Sequence, residues 1–136
     1  MRRVVSNTGP LLHLSEAEAL TLLSRAGEVY IPRAVDTEMA QQNPLWQTQK
    51  AAWIHGHALT APYAVEAVAW QQAGLLGFGE AEAVALVRQM NAHWLLTDEA
   101  AARLFAQSLG ILAQSSLWIS AKVLAEAKAA LSQLFP

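Results

Sequence analysis

The sequence predicts an α/β fold of three layers, in which helices cover both faces of a central parallel sheet of four to five strands. Short apolar runs alternate along the chain with segments whose apolar residues recur at helical spacing. No internal repeat, low-complexity segment or linker interrupts this alternation. Because 136 residues are enough for one full hydrophobic core, we expect residues 1–136 to form a single domain.

Glycine and proline mark the boundaries of the predicted elements. Pro10 and Pro32 suit the first turn of a helix, and Gly27 suits the residue after one. The predicted strands cover residues 3–6, 28–31, part of 53–59 as an edge strand, 93–96 and 110–113. The predicted helices begin at Pro10, near Leu20 and at Pro32, and cover residues 64–73, 80–91, 99–109 and 117–134. Residues 41–49 are expected to be a loop or a broken helix, and residues 74–79 a loop.

The composition restricts the classes of function. Hydrophobic residues make up 54% of the chain and charged residues only 15%, which argues against disorder. A formal net charge of −2 argues against binding nucleic acid through a broad basic surface, but not against an enzyme that meets phosphate with metal ions. The absence of cysteine excludes thiolate chemistry and disulfides.

Location and assembly can also be anticipated from the composition. The apolar stretch behind Arg2 and Arg3 is broken too early for a signal peptide, and no run has membrane-spanning length. We therefore expect a cytoplasmic protein without membrane contact. Five tryptophans in a chain with few charges favour a homo-oligomer with an apolar interface.

Polar residues follow three of the predicted strands. Asn7 and Thr8 follow the first strand, Thr97 and Asp98 follow the strand that contains Trp94, and residues 114–116 follow the last. In a parallel sheet these carboxyl ends share one edge, where ligands bind. Asp98, one of only two aspartates in the chain, is predicted to lie at that edge.

Helical spacing predicts two further carboxylates beside this edge. Glu80 shares an apolar stripe with helix positions 83, 84 and 87, and Glu38 lies on or beside another, whereas Asp36 and Glu82 fall on faces typical of solvated charges. An inward carboxylate is costly unless it is paired, protonated or bound to a cation. Glu38, Glu80 and Asp98 could thus form an acidic pocket for Mg²⁺ or Mn²⁺, whose chemistry suits phosphodiester hydrolysis.

Each of these residues also has a purely structural interpretation. Glu80 is favourable at a helix start through the helix dipole, by about 0.3–1 kcal/mol. Glu38 could pair with an arginine, and Asp98 is a natural helix N-cap. Asn7 suits an Asx-turn before glycine and proline. The convergence of all four residues favours the functional interpretation.

The histidines and tryptophans are weaker candidates. His55 and His57 would share one face of a strand and could suit a metal, although such pairs are more often exposed and inert. His13 and His93 have no obvious partner and are expected to be packing or surface residues. The tryptophans are expected to anchor the core or an interface rather than to stack on bases; they are Trp46, Trp53, Trp70, Trp94 and Trp118.

Four stretches together resemble the PIN-domain family, in particular its prokaryotic subgroup whose chains begin with strings like SNTGPL or SDTSPL. VVSNTGPLLHL resembles the family's first strand, and VYIPRAVDTEM resembles its second strand with Glu38 as the helix acid. GFGEAEAVALV carries Glu80, and NAHWLLTDEAAARLFAQSLGI carries Asp98 eighteen residues later, an interval typical of the family. The resemblance covers almost the whole chain.

The resemblance implies a compact α/β/α nuclease that binds Mg²⁺ or Mn²⁺ and cuts single-stranded RNA. It further implies a toxin of a toxin–antitoxin pair, with a small antitoxin protein as partner and frequent dimerisation. By position, the catalytic and metal-binding residues would be Asn7, Glu38, Glu80 and Asp98, with Thr8 as a polar helper and Glu99 as a less certain acid.

The chain departs from the family pattern at two positions. Asn7 stands where the wider family has aspartate, and Glu80 stands where aspartate is commoner. An amide oxygen can ligate a hard cation but brings no charge, so weaker metal binding and activity are expected. The alternatives are a weak or inactive PIN-like module that acts through protein–protein contacts, and a metal-dependent phosphatase acting on small substrates.

Overall fold

Five parallel strands form the central sheet in the computed structural model, which describes residues 2–119, 121, 125, 129, 132 and 133. The strands are β1 (Arg3–Ser6), β2 (Glu28–Ile31), β3 (Ile54–Gly56), β4 (Trp94–Leu96) and β5 (Ala113–Gln114). They lie in the order β3-β2-β1-β4-β5, and each neighbouring pair is parallel. This confirms the predicted α/β fold and places β1 at the centre of the sheet.

Helices connect the strands. They are α1 (Thr8–Glu16), α2 (Arg33–Gln42), α3 (Trp46–Gln49), α4 (Tyr63–Gln72), α5 (Phe78–Met90) and α6 (Ala100–Ser108), with a 3-10 helix at Leu20–Arg25. Residues 116–119 are helical too, so the last helix begins one residue before the predicted start at residue 117. Much of this predicted helix lies outside the described residues. In the part of the chain that the structure describes, no helix is long and apolar enough to cross a membrane.

Alternating side chains of the central strands supply two separate apolar cores. Val4 and Leu96 belong to the core that α1 and α2 cover, and Val5 and Leu95 belong to the core that α4, α5 and α6 cover. All four side chains are essentially inaccessible to solvent. Burying each such side chain stabilises the fold by about 1.5–3 kcal/mol, so both faces of the sheet require helices.

The last strand begins later than the sequence predicts. Residues 110–113 were expected to form it, but Gly110 has a φ of +79° and, with Ile111, belongs to the turn that ends α6. The backbone N–H groups of Gly110 and Ile111 donate to the carbonyl oxygens of Gln107 and Ala106, both at 3.0 Å. These bonds hold the chain in the helix C-terminus, and only Ala113 and Gln114 pair with β4.

Asp36 is not the solvated charge that its helix position predicts. Its Oδ1 accepts hydrogen bonds from the indole N–H of Trp46 at 2.6 Å and from Lys50 Nζ at 3.3 Å. Burial raises the pKa of Asp36, but hydrogen bonds from Trp46 and Gln47 and the charge of Lys50 together outweigh burial and lower the pKa below its usual value. The Asp36 carboxylate therefore links α2 to α3 through Trp46, and to the residue after α3 through Lys50.

Glu82 is the second carboxylate predicted to be solvated, and this prediction is also wrong. The Glu82 side chain is half-buried, and its Oε1 accepts the backbone N–H of Ala34 at 3.1 Å. The N–H groups of a first helical turn lack partners within the helix, so this carboxylate caps α2 from outside. Glu82 thereby links the start of α5 to the start of α2.

Candidate active site

Asn7 and Thr97 lie side by side at the carboxyl edge of the two central strands. The backbone N–H of Asn7 donates to the carbonyl oxygen of Leu96 at 2.8 Å, and that of Thr97 donates to Gln114 at 2.9 Å. The pairing thus continues beyond β1 and β4. Asn7 Nδ2 donates to Thr97 Oγ1 at 3.2 Å, and both residues are buried. The edge predicted to collect polar groups does collect them.

The Asn7 side chain also begins α1. Asn7 has extended backbone angles, and its Oδ1 accepts the backbone N–H of Thr8 at 2.9 Å, which makes it the N-cap. Such a cap contributes about 1 kcal/mol. A carbonyl oxygen has two lone pairs, so Asn7 Oδ1 can accept this bond and still bind a second group. The structural role of Asn7 is compatible with the ligand role that the sequence predicts.

The carboxylate of Glu38 reaches the same place from α2. The hydroxyl of Thr8 donates to Glu38 Oε2, which fits the predicted role of Thr8 as a polar helper. A Cβ atom on Gly79 would lie 2.9 Å from Glu38 Oε1 and 3.1 Å from Asn7 Oδ1. The two oxygen atoms therefore approach the same point of the α5 backbone, which only glycine leaves open.

The charge of Glu38 has no cationic partner in the described part of the chain. The predicted alternative, an ion pair with a nearby arginine, is absent among the described residues. Glu38 is half-buried, so its carboxylate is partly removed from water without a compensating positive charge. This environment suits an incoming cation.

Asp98 is held by groups from both ends of the chain. Its Oδ1 accepts the backbone N–H of Ser116 at 2.7 Å, and its Oδ2 lies 3.0 Å from Ser116 Oγ and 2.5 Å from His13 Nδ1. The alternative that Asp98 caps the following helix is wrong, because α6 starts after Glu99. Asp98 is instead fixed at the sheet edge, next to Thr97.

Two partners of Asp98 were not predicted from the sequence. His13 was expected to have no partner, yet its ring reaches Asp98, and Ser116 was noted only as a residue that follows the last strand. The contact of His13 depends on how α1 packs against Asp98, which the sequence alone does not indicate. Gly9 and His13 are four residues apart on α1 and therefore share a face, and a Cβ on Gly9 would lie 3.5 Å from Asp98 Cβ. This face of α1 lies against Asp98.

Glu80 and Glu99 are less closely integrated. The Glu80 side chain is half-buried and folds back over the start of α5, where its Oε2 would lie 2.5 Å from a Cβ on Gly77. This is the placement that the helix dipole favours. Glu99 is exposed, and its backbone N–H donates to Thr97 Oγ1 at 3.2 Å. Among the described residues, no hydrogen bond or ion pair joins either carboxylate to Glu38 or Asp98.

The oxygen atoms at this edge are suitable ligands for a hard cation, but Glu38, Glu80 and Asp98 do not form one cluster. Asn7 Oδ1 and the Glu38 carboxylate are oxygen donors of the type that Mg²⁺ and Mn²⁺ prefer. Among the described residues, however, no three His, Cys, Asp or Glu side chains come close enough together to hold a metal ion. The pair at Gly79 is therefore the nucleus of the candidate site, and Asp98 lies beside it.

The other histidines and the tryptophans have structural partners. The rings of His55 and His57 lie 5.2 and 6.3 Å from that of Tyr30, and His93 Nδ1 accepts the backbone N–H of Arg3 at 3.0 Å. The described tryptophans pack as predicted. Trp46 is buried, Trp94 lies 4.9 Å from Trp118, and Trp70 lies 5.0 Å from Phe105.

Replacing Gly79 is expected to damage the site more than the fold. In Gly79→Ala, the new Cβ would displace the Glu38 carboxylate, which is the flexible end of a long side chain. Alanine is also favoured over glycine within a helix by about 1 kcal/mol, so we expect the free energy of unfolding to change by less than about 1 kcal/mol. Thermal unfolding and Mn²⁺ titration test this. Unchanged Mn²⁺ affinity would show that Glu38 and Asn7 need not converge at residue 79.

The comparisons with known proteins agree with this architecture. A family model described as DUF3368: PIN domain matches residues 3–134, and a comparison with curated proteins finds no match. The matched region includes the whole sheet and every residue of the candidate site. The chain therefore belongs to the PIN-domain family.

Proposed function

We propose that the protein is a metal-dependent endoribonuclease that cuts single-stranded RNA. PIN domains are generally nucleases, which supports a hydrolase role. The observation that carries the proposal is the approach of Asn7 Oδ1 and the unpaired Glu38 carboxylate to one point at Gly79. Asp98 lies beside Thr97, the partner of Asn7, so a third oxygen ligand is available at the same edge.

Asn7, Glu38, Glu80 and Asp98 are the residues that would hold Mg²⁺ or Mn²⁺. When bound, such ions polarise phosphate oxygens, lower the pKa of water and stabilise the leaving oxygen. The chain's own groups orient these ligands. Thr8 holds Glu38 through its hydroxyl, and Thr97 fixes the amide of Asn7.

His13 and Ser116 orient the carboxylate of Asp98 in the same way. Three hydrogen-bonding groups surround the Asp98 carboxylate, which keeps its side chain in one rotamer at the sheet edge. A preorganised carboxylate loses little entropy when a ligand binds. These contacts support a role for Asp98 in binding rather than in capping.

We further propose that the protein is the toxin of a toxin–antitoxin pair and forms a homodimer. Large apolar side chains remain exposed on and after α6, which a small antitoxin protein or a second copy of the chain would cover. They are Leu104, Leu109, Leu112 and Leu117, between 42% and 77% exposed. Light scattering of the protein alone tests the dimer.

A weak or inactive PIN-like module that acts through protein contacts remains the second candidate. Two observations favour it: Asn7 carries no charge, and the described acids do not form one group of three. Calorimetric titration with Mn²⁺ separates the two. Heat of binding that disappears in Glu80→Gln supports the nuclease, whereas no heat at millimolar Mn²⁺ supports the module.

Removal of the metal is the direct test of the nuclease. Incubated with a mixed pool of single-stranded RNA, the protein should cut in Mn²⁺ and stop cutting when EDTA is in excess. Readdition of Mn²⁺ should restore cleavage, which controls for irreversible damage by the chelator. Cleavage that persists in EDTA, or none with Mn²⁺, contradicts the proposal.

A further inference from the structure

A groove leads from Glu38 to a second cavity on the α4 side of the molecule. A cavity of about 400 Å³ contains Glu38 in its lining, and a narrower one of about 190 Å³ lies between α4 and the start of α5. Arg33, Phe78 and Glu82 line both. Because the two cavities share these three side chains, they adjoin each other, and Glu38 links the larger one to the candidate active site. We call the narrower one the α4–α5 cavity.

The walls of the α4–α5 cavity are mostly apolar. Leu59, Ala67 and Val68 contribute to them, and Phe78 stands at the junction with the wider cavity. The Phe78 side chain is 57% exposed, although a phenylalanine gains about 1.5–3 kcal/mol from full burial. It directly precedes Gly79. An aromatic face left open beside an acidic site offers a surface on which a base can stack.

Glu82 supplies a polar group at the same junction. Its Oε1 accepts the backbone N–H of Ala34, which fixes the carboxylate in place. The hydrogen bonds of the described residues leave Oε2 without a donor. A carboxylate oxygen only accepts, so Glu82 can bind an amino group but not a carbonyl oxygen.

Arg33 supplies the positive charge. Its side chain is exposed at the first position of α2 and makes no ion pair with a described residue. It lies along the groove between Glu38 and the α4–α5 cavity. A chain with a net charge of −2 has few positive side chains that could bind phosphate. An unpaired guanidinium at this position can form hydrogen bonds to the phosphates of a nucleic acid.

We propose that the α4–α5 cavity binds the base of a nucleotide next to the bond that is cut. The base stacks on Phe78, its exocyclic amino group donates to Glu82, and Arg33 binds an adjoining phosphate. Cytosine, adenine and guanine each carry an exocyclic amino group that can donate to Glu82, whereas uracil carries none. This inference rests on the proposed function and adds to it a preference for bases with an exocyclic amino group over uracil.

Binding of short RNA tests the stacking role of Phe78. Fluorescein-labelled hexacytidylate and hexauridylate serve as the ligands of the full chain in Ca²⁺, and fluorescence anisotropy reports their binding. Phe78→Ala should weaken binding of both on the order of tenfold, and Phe78→Trp should retain it, because stacking needs only an aromatic face. The control is Val65→Ala, which truncates a 66%-exposed side chain of α4 outside both cavities. Equal affinities of Phe78→Ala and Val65→Ala overturn the stacking role.

Glu82→Gln tests base recognition, because it should reverse the preference between the two RNA ligands. The unsubstituted chain should bind hexacytidylate several-fold tighter than hexauridylate. In Glu82→Gln, the amide oxygen can keep the bond to Ala34, so the amide NH₂ faces the cavity and donates to a carbonyl oxygen. The preference should therefore move toward uridylate. A loss of structure alone would weaken both ligands without this reversal, and an unchanged ratio overturns the role of Glu82.

Cleavage in Mn²⁺ separates failure of this inference from failure of the proposed function. If the unsubstituted chain cuts RNA but the Phe78 and Glu82 variants cut at the same positions with the same base preference, the cavity has no role and only this inference fails. If the unsubstituted chain neither binds nor cuts any RNA, both fail.

Discussion

Asp98→Asn is expected to lower the rate of RNA cleavage by about 100-fold or more while the fold survives. The amide oxygen of asparagine can still accept the backbone N–H of Ser116, so the local structure is retained. The substitution removes a negative charge from a site where Asn7 is already neutral. A bound cation would then be held by fewer carboxylates, which weakens its binding and its action on the phosphate. The initial rate of cleavage in Mn²⁺ measures the effect.

A matched substitution controls for the general effect of removing a carboxylate. Glu66 on α4 pairs with Arg88 at the surface and lines neither cavity of the groove. Glu66→Gln should therefore leave the rate unchanged. Thermal unfolding of both variants confirms that each is folded. If Asp98→Asn cuts as fast as Glu66→Gln, Asp98 only positions the chain around Ser116.

Asn7→Asp is expected to tighten Mn²⁺ binding and to give equal or greater cleavage. The new carboxylate keeps the contact with Thr97, whose hydroxyl can reverse the hydrogen bond and donate. Asn7 is only 4% exposed and Glu38 is near, so without metal the added charge is buried beside another of the same sign. We expect a loss of stability in EDTA of about 1–3 kcal/mol and its recovery in Mn²⁺.

Calorimetry with Mn²⁺ and thermal unfolding with and without EDTA measure the two effects of Asn7→Asp. Asn91→Asp is the control, because Asn91 is exposed and lies at the amino end of β4, away from the site. It adds the same charge at the C-terminus of α5, where a carboxylate slightly lowers stability whether or not metal is present. It should change neither the Mn²⁺ affinity nor the difference in stability between EDTA and Mn²⁺. Unchanged Mn²⁺ affinity in Asn7→Asp would return Asn7 to the role of a helix cap.

The elements that position the site could be predicted because their signals are local. Val4 and Val5 precede a polar turn, and Pro32 ends an apolar run, so β1, β2 and the helix that bears Glu38 follow from apolar pattern and backbone restriction. Parallel strands then bring Asn7 and Thr97 to one edge. The sequence thus predicts which residues share that edge.

The contacts among those residues could not be predicted in the same way. His13 reaches Asp98 and Glu82 caps α2 because of side-chain rotamers and the relative placement of helices, which no spacing along one helix encodes. The placement of Glu80 over the start of its own helix illustrates the same limit. Helical periodicity predicts that Glu80 faces the core side, but not that its carboxylate folds back towards Gly77.

The central position of β1 affects the order in which the two halves of the sheet can form during synthesis. β1, β2 and β3 come from the first 56 residues, whereas β4 and the Ser116 groups that hold Asp98 come from the last 43. Synthesis proceeds from the amino end, so β1, β2 and the helix α2 that bears Glu38 can form while the other edge of β1 is still open. Asp98 consequently cannot form its contacts with Ser116 before residue 116 has been synthesised, whereas the contact between Thr8 and Glu38 can form earlier.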